Sequence, residues 1–157
     1  MTSKHGAYAA DAQLLVMAVR SFLSMYVLMY AMVDRVANVY SSLNQVCMAA
    51  LMTAPMLIIE VVLMWDMYPA NRLNVAIIAG CTFALGLFFV LIRQQTLIHD
   101  QQFLRSMIPH HAGAILMCER APIEDSEIKA LCDTIRSGQQ SEIDQMKAIL
   151  KRLGNQG

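Results

Sequence analysis

Three apolar runs dominate this chain, at Leu14 to Val33, Val46 to Met64 and Leu73 to Ile92. Each approaches the ~20 residues that a helix needs to cross a bilayer core of ~30 Å. Hydrophobic residues make up 57% of the 157, charged residues 15%, and the formal net charge is +0. That is more apolar than a water-soluble domain of this size usually is. Asp34, Arg35, Asn38, Ser41, Ser42 and Asn44 form a polar first loop, and Asp66, Tyr68, Pro69, Asn71 and Arg72 a second. Tyr40, Trp65 and Tyr68 stand near the run ends, where amphipathic rings favour the headgroup level. The first run exceeds a usual signal-peptide core and no small-x-small cleavage pattern follows it, so it is expected to be retained. The expectation is a three-helix transmembrane domain over residues 1–93, with membrane lipid as its surroundings.

From Gln94 the pattern changes to mixed charge with helical periodicity. Phe103, Met107, Ile108, His111, Ile115 and Cys118 make the stripe of an amphipathic helix. Pro122 marks its end. Asp125 is placed to cap a second helix, with Glu127 in its first turn, running from about Ser126 to Leu153 and stopping at Gly154. Residues 94–157 thus read as a polar αα-hairpin, making the whole chain all-α. Folded about Glu124 and Asp125, the hairpin sets Cys118 near Cys132, His111 near Gln139, and Met107 near Glu142 and Met146. Two helices are too few to bury a core alone. The hairpin is expected to pack on a second copy or on the membrane helices.

Chemistry concentrates at Met107-Ile108-Pro109-His110-His111, followed by Met117 and Cys118. A thioether and two imidazoles on about one helical turn suit copper, above all Cu(I), and suit Mg²⁺ and Ca²⁺ poorly; zinc and iron stay open. Facing helices that offer a carboxylate, a thioether and imidazoles are how helical bundles build metal sites. Pro109 removes one helical hydrogen bond and can bend the axis, bringing His110 and His111 to one site or two neighbouring ones. The plainer alternative is that the histidines pack and hydrogen-bond in a core. Cys118 and Cys132 are open between buried small hydrophobes, a disulfide and metal ligands.

Asp100, Phe103, Met107-Ile108-Pro109-His110-His111, Ala114, Met117, Gln140, Glu142, Ile143 and Met146 together resemble the signature of the bacterial domain of unknown function family 305. The likeness covers about Asp100 to Leu150, and the paired-histidine block is its specific part. Leu51-Met52-Thr53-Ala54-Pro55-Met56 is similar to a pattern in membrane-anchored forms of that family. The resemblance implies a ferritin-like half bundle and a role in copper or heavy-metal homeostasis or resistance. It also implies Met107, His110, His111 and Met117 as ligands, with Glu142 and Met146 as candidates opposite. Cys118 and Cys132 depart from it as additional thiols.

A second signal lies in the apolar runs, where the chain's 13 methionines are partly concentrated. Met48, Met52, Met56 and Met64 follow an i+4 row with Glu60 in the remaining place, and Met25, Met29 and Met32 cluster in the first run. Facing helices can so line a thioether seam for Cu(I), although methionine also simply fills gaps between helices. Arg20 and Glu60 fall on the same side of an antiparallel pair. They are expected to form an ion pair, since an unpaired charge at the bilayer centre costs ~2.5–3.5 kcal/mol. Ala76, Gly80 and Ala84 repeat small residues along the third run, which permits close helix contact and suggests a homo-oligomer.

The function class that follows is a membrane-bound copper or heavy-metal binding protein. A metal-free structural or sensory oligomer is the alternative, and a ferritin-like oxidoreductase a weaker one. Against the last, the hairpin lacks the paired Glu-x-x-His of di-iron bundles. No nucleophile or phosphate-loop motif indicates an enzyme, and no basic excess indicates nucleic acid. Lys4, Arg20 and Arg72 balance Arg35, Arg93 and Arg105, so the positive-inside rule gives no orientation. A multi-pass protein of the bacterial inner membrane, its hairpin periplasmic, is the expectation.

Overall fold

The structure is a computed structural model that describes residues 4–68 and 70–155, with side chains from Ala12 onward. Pro69, expected in the second loop, lies outside the described residues. The order is α1 (Lys4–Leu28), a 3-10 turn at Met29–Met32, another at Val36–Asn38, α2 (Leu43–Leu63), a third 3-10 turn at Trp65–Met67, α3 (Asn71–Gln94), α4 (Asp100–Arg120) and α5 (Ser126–Gly154). No strand occurs among the described residues, so the class is all-α. Ala12–Met32, Leu43–Leu63 and Asn71–Gln94 are each long and apolar enough to cross a membrane. The chain forms two compact units, one of residues up to Leu28 with Val46–Thr96, the other of Met29–Gln45 with the chain from Leu97 onward.

In the first unit, Leu14 of α1, Val61 of α2 and Tyr68 are buried together, with Met17, Leu57, Met64, Ile77 and Ile78 against them. Asn74, buried in the first turn of α3, donates from Nδ2 to the Tyr68 carbonyl at 3.0 Å and ties that helix to the turn before it. Thr53 and Thr82 donate their hydroxyls to the carbonyls four residues earlier, Ala49 and Ile78. Such internal pairing is what hydroxyls need where no water competes. The outer faces, with Leu23, Val27, Leu63, Phe83 and Phe89, are apolar and uncovered. Extended surfaces of this kind mark a membrane or another protein chain as their partner.

The second unit is an antiparallel pair, α4 and α5, with a third layer laid over it. Asp125 caps α5 as expected, its carboxylate accepting from the N–H groups of Glu127 (2.9 Å) and Ile128 (3.0 Å). Leu104, Ile108, Ala112 and Ile115 of α4 are buried with Ile143 and Met146 of α5. Val33 and Tyr40, from the segment between α1 and α2, pack onto that core. The hairpin's cover is therefore this segment. The apparent polar connector is a structural layer, and Met29–Gln45 groups with the hairpin in one compact unit rather than with the rest of residues 1–93.

Side chains that read as solvated loop in the sequence hold this layer in place. Asp34, whose side chain is 2% exposed, accepts from the Arg35 N–H at 2.7 Å and from Asn38 Nδ2 at 2.6 Å. Lys147 of α5 donates to Asn38 Oδ1 at 2.5 Å, and Gln102 of α4 accepts from the Leu43 N–H at 2.9 Å. The Tyr30 hydroxyl donates to the Tyr40 carbonyl at 2.9 Å, closing the segment on itself. The α-helical part of the first apolar run consequently stops at Leu28 and tightens into Met29–Met32 before reaching Val33. Gly113 lies under this turn, where an added Cβ would stand 3.3 Å from the Met32 carbonyl oxygen.

The layer makes Gly113 and Gly138 respond oppositely to substitution. Gly113→Val forces a branched side chain against the Met32 backbone and is expected to cost about 1–3 kcal/mol. At Gly138 nothing lies within 4 Å of an added Cβ, so Gly138→Ala is expected to stabilise α5 by about 0.5–1 kcal/mol. Thermal unfolding of the full chain in mild detergent, followed by circular dichroism, measures both. An unchanged midpoint for Gly113→Val would mean that Met29–Met32 does not rest on α4.

Candidate metal centre

The paired-histidine motif lies mid-way along α4, which continues as helix through Pro109. Ile108 and Pro109 are buried, so the motif is locked by core packing, and the two histidines that follow diverge. His111, with a side chain 12% exposed, turns toward α5, whereas His110 is exposed. Their ring centroids are 6.0 Å apart, at an interplanar angle of 65°.

His111 is held at both nitrogens. Its Nδ1–H donates to the Met107 carbonyl at 2.9 Å; a carbonyl only accepts, so this contact fixes the proton on Nδ1. Nε2 lies 2.8 Å from Glu142 Oε2. A carboxylate and an imidazole at that distance share a proton, or jointly face a cation that takes the proton's place. A backbone acceptor on one ring nitrogen with the other aimed at a metal position is the arrangement that orients metal-bound histidines. Met107 precedes His111 by one turn on the same helix face and packs half-buried against the core.

Other expected ligands are placed differently. Met146 is part of the buried core. Met117 is 54% exposed. Cys118 and Cys132 are joined as a disulfide across the turn end of the hairpin, with their Cα atoms 5.3 Å apart; as a disulfide they offer no thiolate. The tip thus pairs where the sequence register places it. By His111 the pairing has shifted by three residues, from the expected Gln139 to Glu142. The buried row of α5, Ile143 and Met146, sets which residues flank the seam, and Glu142 is next to that row. Among the described residues no group of three or more His, Cys, Asp or Glu gathers at one place. One imidazole and one carboxylate converge, with one thioether a turn away.

In the first unit the expected Arg20 and Glu60 ion pair is absent from the ion pairs among the described residues. The helix register explains this, because Glu60 lines a cavity with Gln13, Leu14 and Met17, one to two turns before Arg20. Arg20 borders a separate groove with Ala12, Gln13, Val16, Met17 and Ser21. The six methionines of the expected seam are also divided. Met29 belongs to the hairpin's unit, Met52 is exposed, and Met25, Met48 and Met56 are half-buried. Met64 lines the Glu60 cavity beside Met17 and Met67, which the row in α2 did not include. Cys47 and Cys81 are free thiols.

The fold and the site define a class: an all-helical protein with three helices apolar enough to cross a membrane and a polar hairpin carrying a histidine, methionine and carboxylate cluster. Residues 100–157 match the family model described as Domain of unknown function (DUF305). The chain is also 31% identical over 143 residues to the Uncharacterized protein L153 of Acanthamoeba polyphaga mimivirus, an alignment covering 89% of this chain and 92% of that one. This chain belongs to the DUF305 family. No solved structure matches it.

The disulfide divides the four cysteines into two classes. Alkylation of the denatured chain without reductant is expected to add two adducts by mass, and four after reduction. Four adducts before reduction would show that Cys118 and Cys132 stay as thiols. With a sequence separation of 14, the closed loop is expected to stabilise the hairpin by about 3 kcal/mol. Reduction should lower its unfolding midpoint accordingly.

Proposed function

We propose that this protein is a multi-pass membrane protein that binds copper in its polar hairpin and acts, without catalysing a reaction, in metal homeostasis or resistance. The observation that carries the reading is the convergence of His111 Nε2 and Glu142 Oε2 at 2.8 Å, with Nδ1 already tied back to Met107. Copper suits that donor set best. Cu(I) accepts the Met107 thioether, Cu(II) accepts imidazole and carboxylate, and copper stands highest among the first-row divalent ions in affinity for such donors. Zinc and iron compete less well once sulfur takes part. His110 and Met117, both turned to solvent, are the residues by which arriving metal is first met.

Membrane insertion of α1, α2 and α3 is part of the same proposal. Three crossings put the α1–α2 segment and the C-terminal hairpin on one side of the bilayer. That requirement agrees with Met29–Gln45 and the hairpin forming one compact unit. The Cys118–Cys132 disulfide favours an oxidising face for that side, periplasmic where the membrane is a bacterial inner membrane. Phe103, Met117, Ile128 and Leu131 stand exposed on the hairpin, and a second copy seated there would complete a ferritin-like four-helix bundle. Blue-native electrophoresis in mild detergent should then show a dimer or larger assembly; a lone monomer band would remove that part.

A specific observation favours the metal-free structural or sensory alternative: both His111 nitrogens already have partners within the protein. Elemental mass spectrometry of protein purified from copper-supplemented cells separates the two. The hairpin is expected to hold copper near one equivalent, so His111→Ala should lower the copper content by that equivalent, and Glu142→Gln should weaken this share at least tenfold, a loss in the range found for disturbed metal-site partners. Wild-type protein without copper, with His111→Ala only melting earlier, would leave His111 and Glu142 as a clasp between α4 and α5.

A further inference from the structure

We propose that the first unit holds a second metal site, one for a soft monovalent cation, Cu(I) or its analogue Ag(I), built from Glu60 and the thioethers of Met17, Met64 and Met67. These four side chains line one cavity of about 240 Å³, together with Gln13 and Tyr68. Three elements contribute. Met17 comes from α1, Glu60 from the last turn of α2, and Met64 and Met67 from the turn that follows. The backbone fixes their spacing, since the Met64 N–H donates to the Glu60 carbonyl and the Met67 N–H to the Met64 carbonyl, both at 2.9 Å. Residues 60, 64 and 67 therefore fall on one side of successive turns.

Among the described residues the charge at the centre of this group is unanswered. Glu60 is half-buried, and its carboxylate makes no hydrogen bond or ion pair among the described residues. A carboxylate set among apolar groups favours neutralisation by a proton or a bound cation, because desolvation penalises the lone ion. Arg20 does not supply one. Thioethers carry no charge and are poor ligands for hard ions, which removes Mg²⁺ and Ca²⁺. One Cu(I) with one carboxylate and up to three thioethers is electrically neutral, whereas a divalent ion there leaves a net positive charge in an apolar unit. Softness and charge together select the monovalent ion.

Access is built in. Met17 and Met64 pack against the buried cluster of Leu14, Val61 and Tyr68, while Met67 is 65% exposed at the cavity's mouth. An ion can thus be met by an exposed sulfur and passed to two sheltered ones. Thioether exchange of this kind needs no change in fold, because methionine has three rotatable bonds and adapts its position. The site stands independently of the hairpin reading, as it shares no residue with it.

The test uses the full-length protein in mild detergent, titrated with Cu(I) in the presence of ascorbate against a chromophoric Cu(I) chelator. His111→Ala serves as the background that removes the hairpin site. That variant is expected to keep one Cu(I), with sulfur scatterers in its X-ray absorption spectrum. Glu60→Gln, or Met17→Leu with Met64→Leu, added to it should weaken binding at least tenfold. Met67→Ser, at an exposed position, should slow uptake without altering the thermal midpoint. The buried changes conserve volume, so the same melting measurement checks their folding. A His111→Ala protein that takes up no Cu(I), or whose Cu(I) is indifferent to all of these changes, overturns the proposal. If the hairpin reading alone is wrong, wild type and His111→Ala hold equal Cu(I), all of it sensitive to Glu60→Gln.

Discussion

The α4–α5 hairpin has an apolar seam that two helices cannot cover, and the chain covers it with its own α1–α2 segment. Ile108, Ala112 and Ile143 are fully buried, and Val33 and Tyr40 are laid against the group they belong to. Much of the second unit follows from that cover. Gly113 lacks a side chain where the Met32 backbone comes down on α4. Asn38 and the Oδ1 of Asp34 are buried polar groups with hydrogen-bond partners, the condition on which polar groups are tolerated inside. The candidate site gains its rigidity from the same packing, since His111 is three residues from Ile108 and adjacent to Ala112 on a helix that cannot rotate without opening the core.

His111 can serve either as a clasp or as a metal ligand, and the two roles use the same contacts. As a clasp it needs a proton between Nε2 and Glu142. As a ligand it gives Nε2 to a metal, and Glu142 either follows onto the metal or is freed to water, which its 55% exposure allows. The Nδ1–H contact with Met107 is unaffected in both cases. Under the proposed reading, metal would enter by replacing a shared proton, with α4 and α5 kept in their present pairing.

Much of this was legible in the sequence because the relevant signals are local. Length and hydropathy placed the three apolar helices, Asp125 and Gly154 bounded α5, and simple antiparallel counting brought Cys118 to Cys132. The signals that failed depend on register or on distant packing. Asp34 and Asn38 look like solvated loop residues, yet they are 2% and 3% exposed, and nothing near them in sequence names Lys147 as a partner. Arg20 and Glu60 have opposite charges at plausible depths, but pairing depends on how Leu14 and Met17 seat against Leu57 and Val61, a matter of side-chain shape. The spacing of Glu60, Met64 and Met67 was there to be read; Met17 joins them only through that seating.

If both proposed sites hold copper, they meet one electrostatic problem in two media. A copper ion bound by neutral donors alone brings its full charge with it, which is tolerable in water and costly where water is scarce. The hairpin site sets a half-exposed carboxylate, Glu142, beside an imidazole, so the ion's charge and oxidation state are little constrained there. The other sets a single carboxylate, Glu60, among thioethers in an apolar unit, where one negative charge neutralises one monovalent ion and no more. On the proposed reading, the difference would make the hairpin the more permissive collector and the Glu60 cavity the more selective holder. A preference for Cu(I) over Cu(II) should therefore arise in the apolar unit, from charge as much as from sulfur.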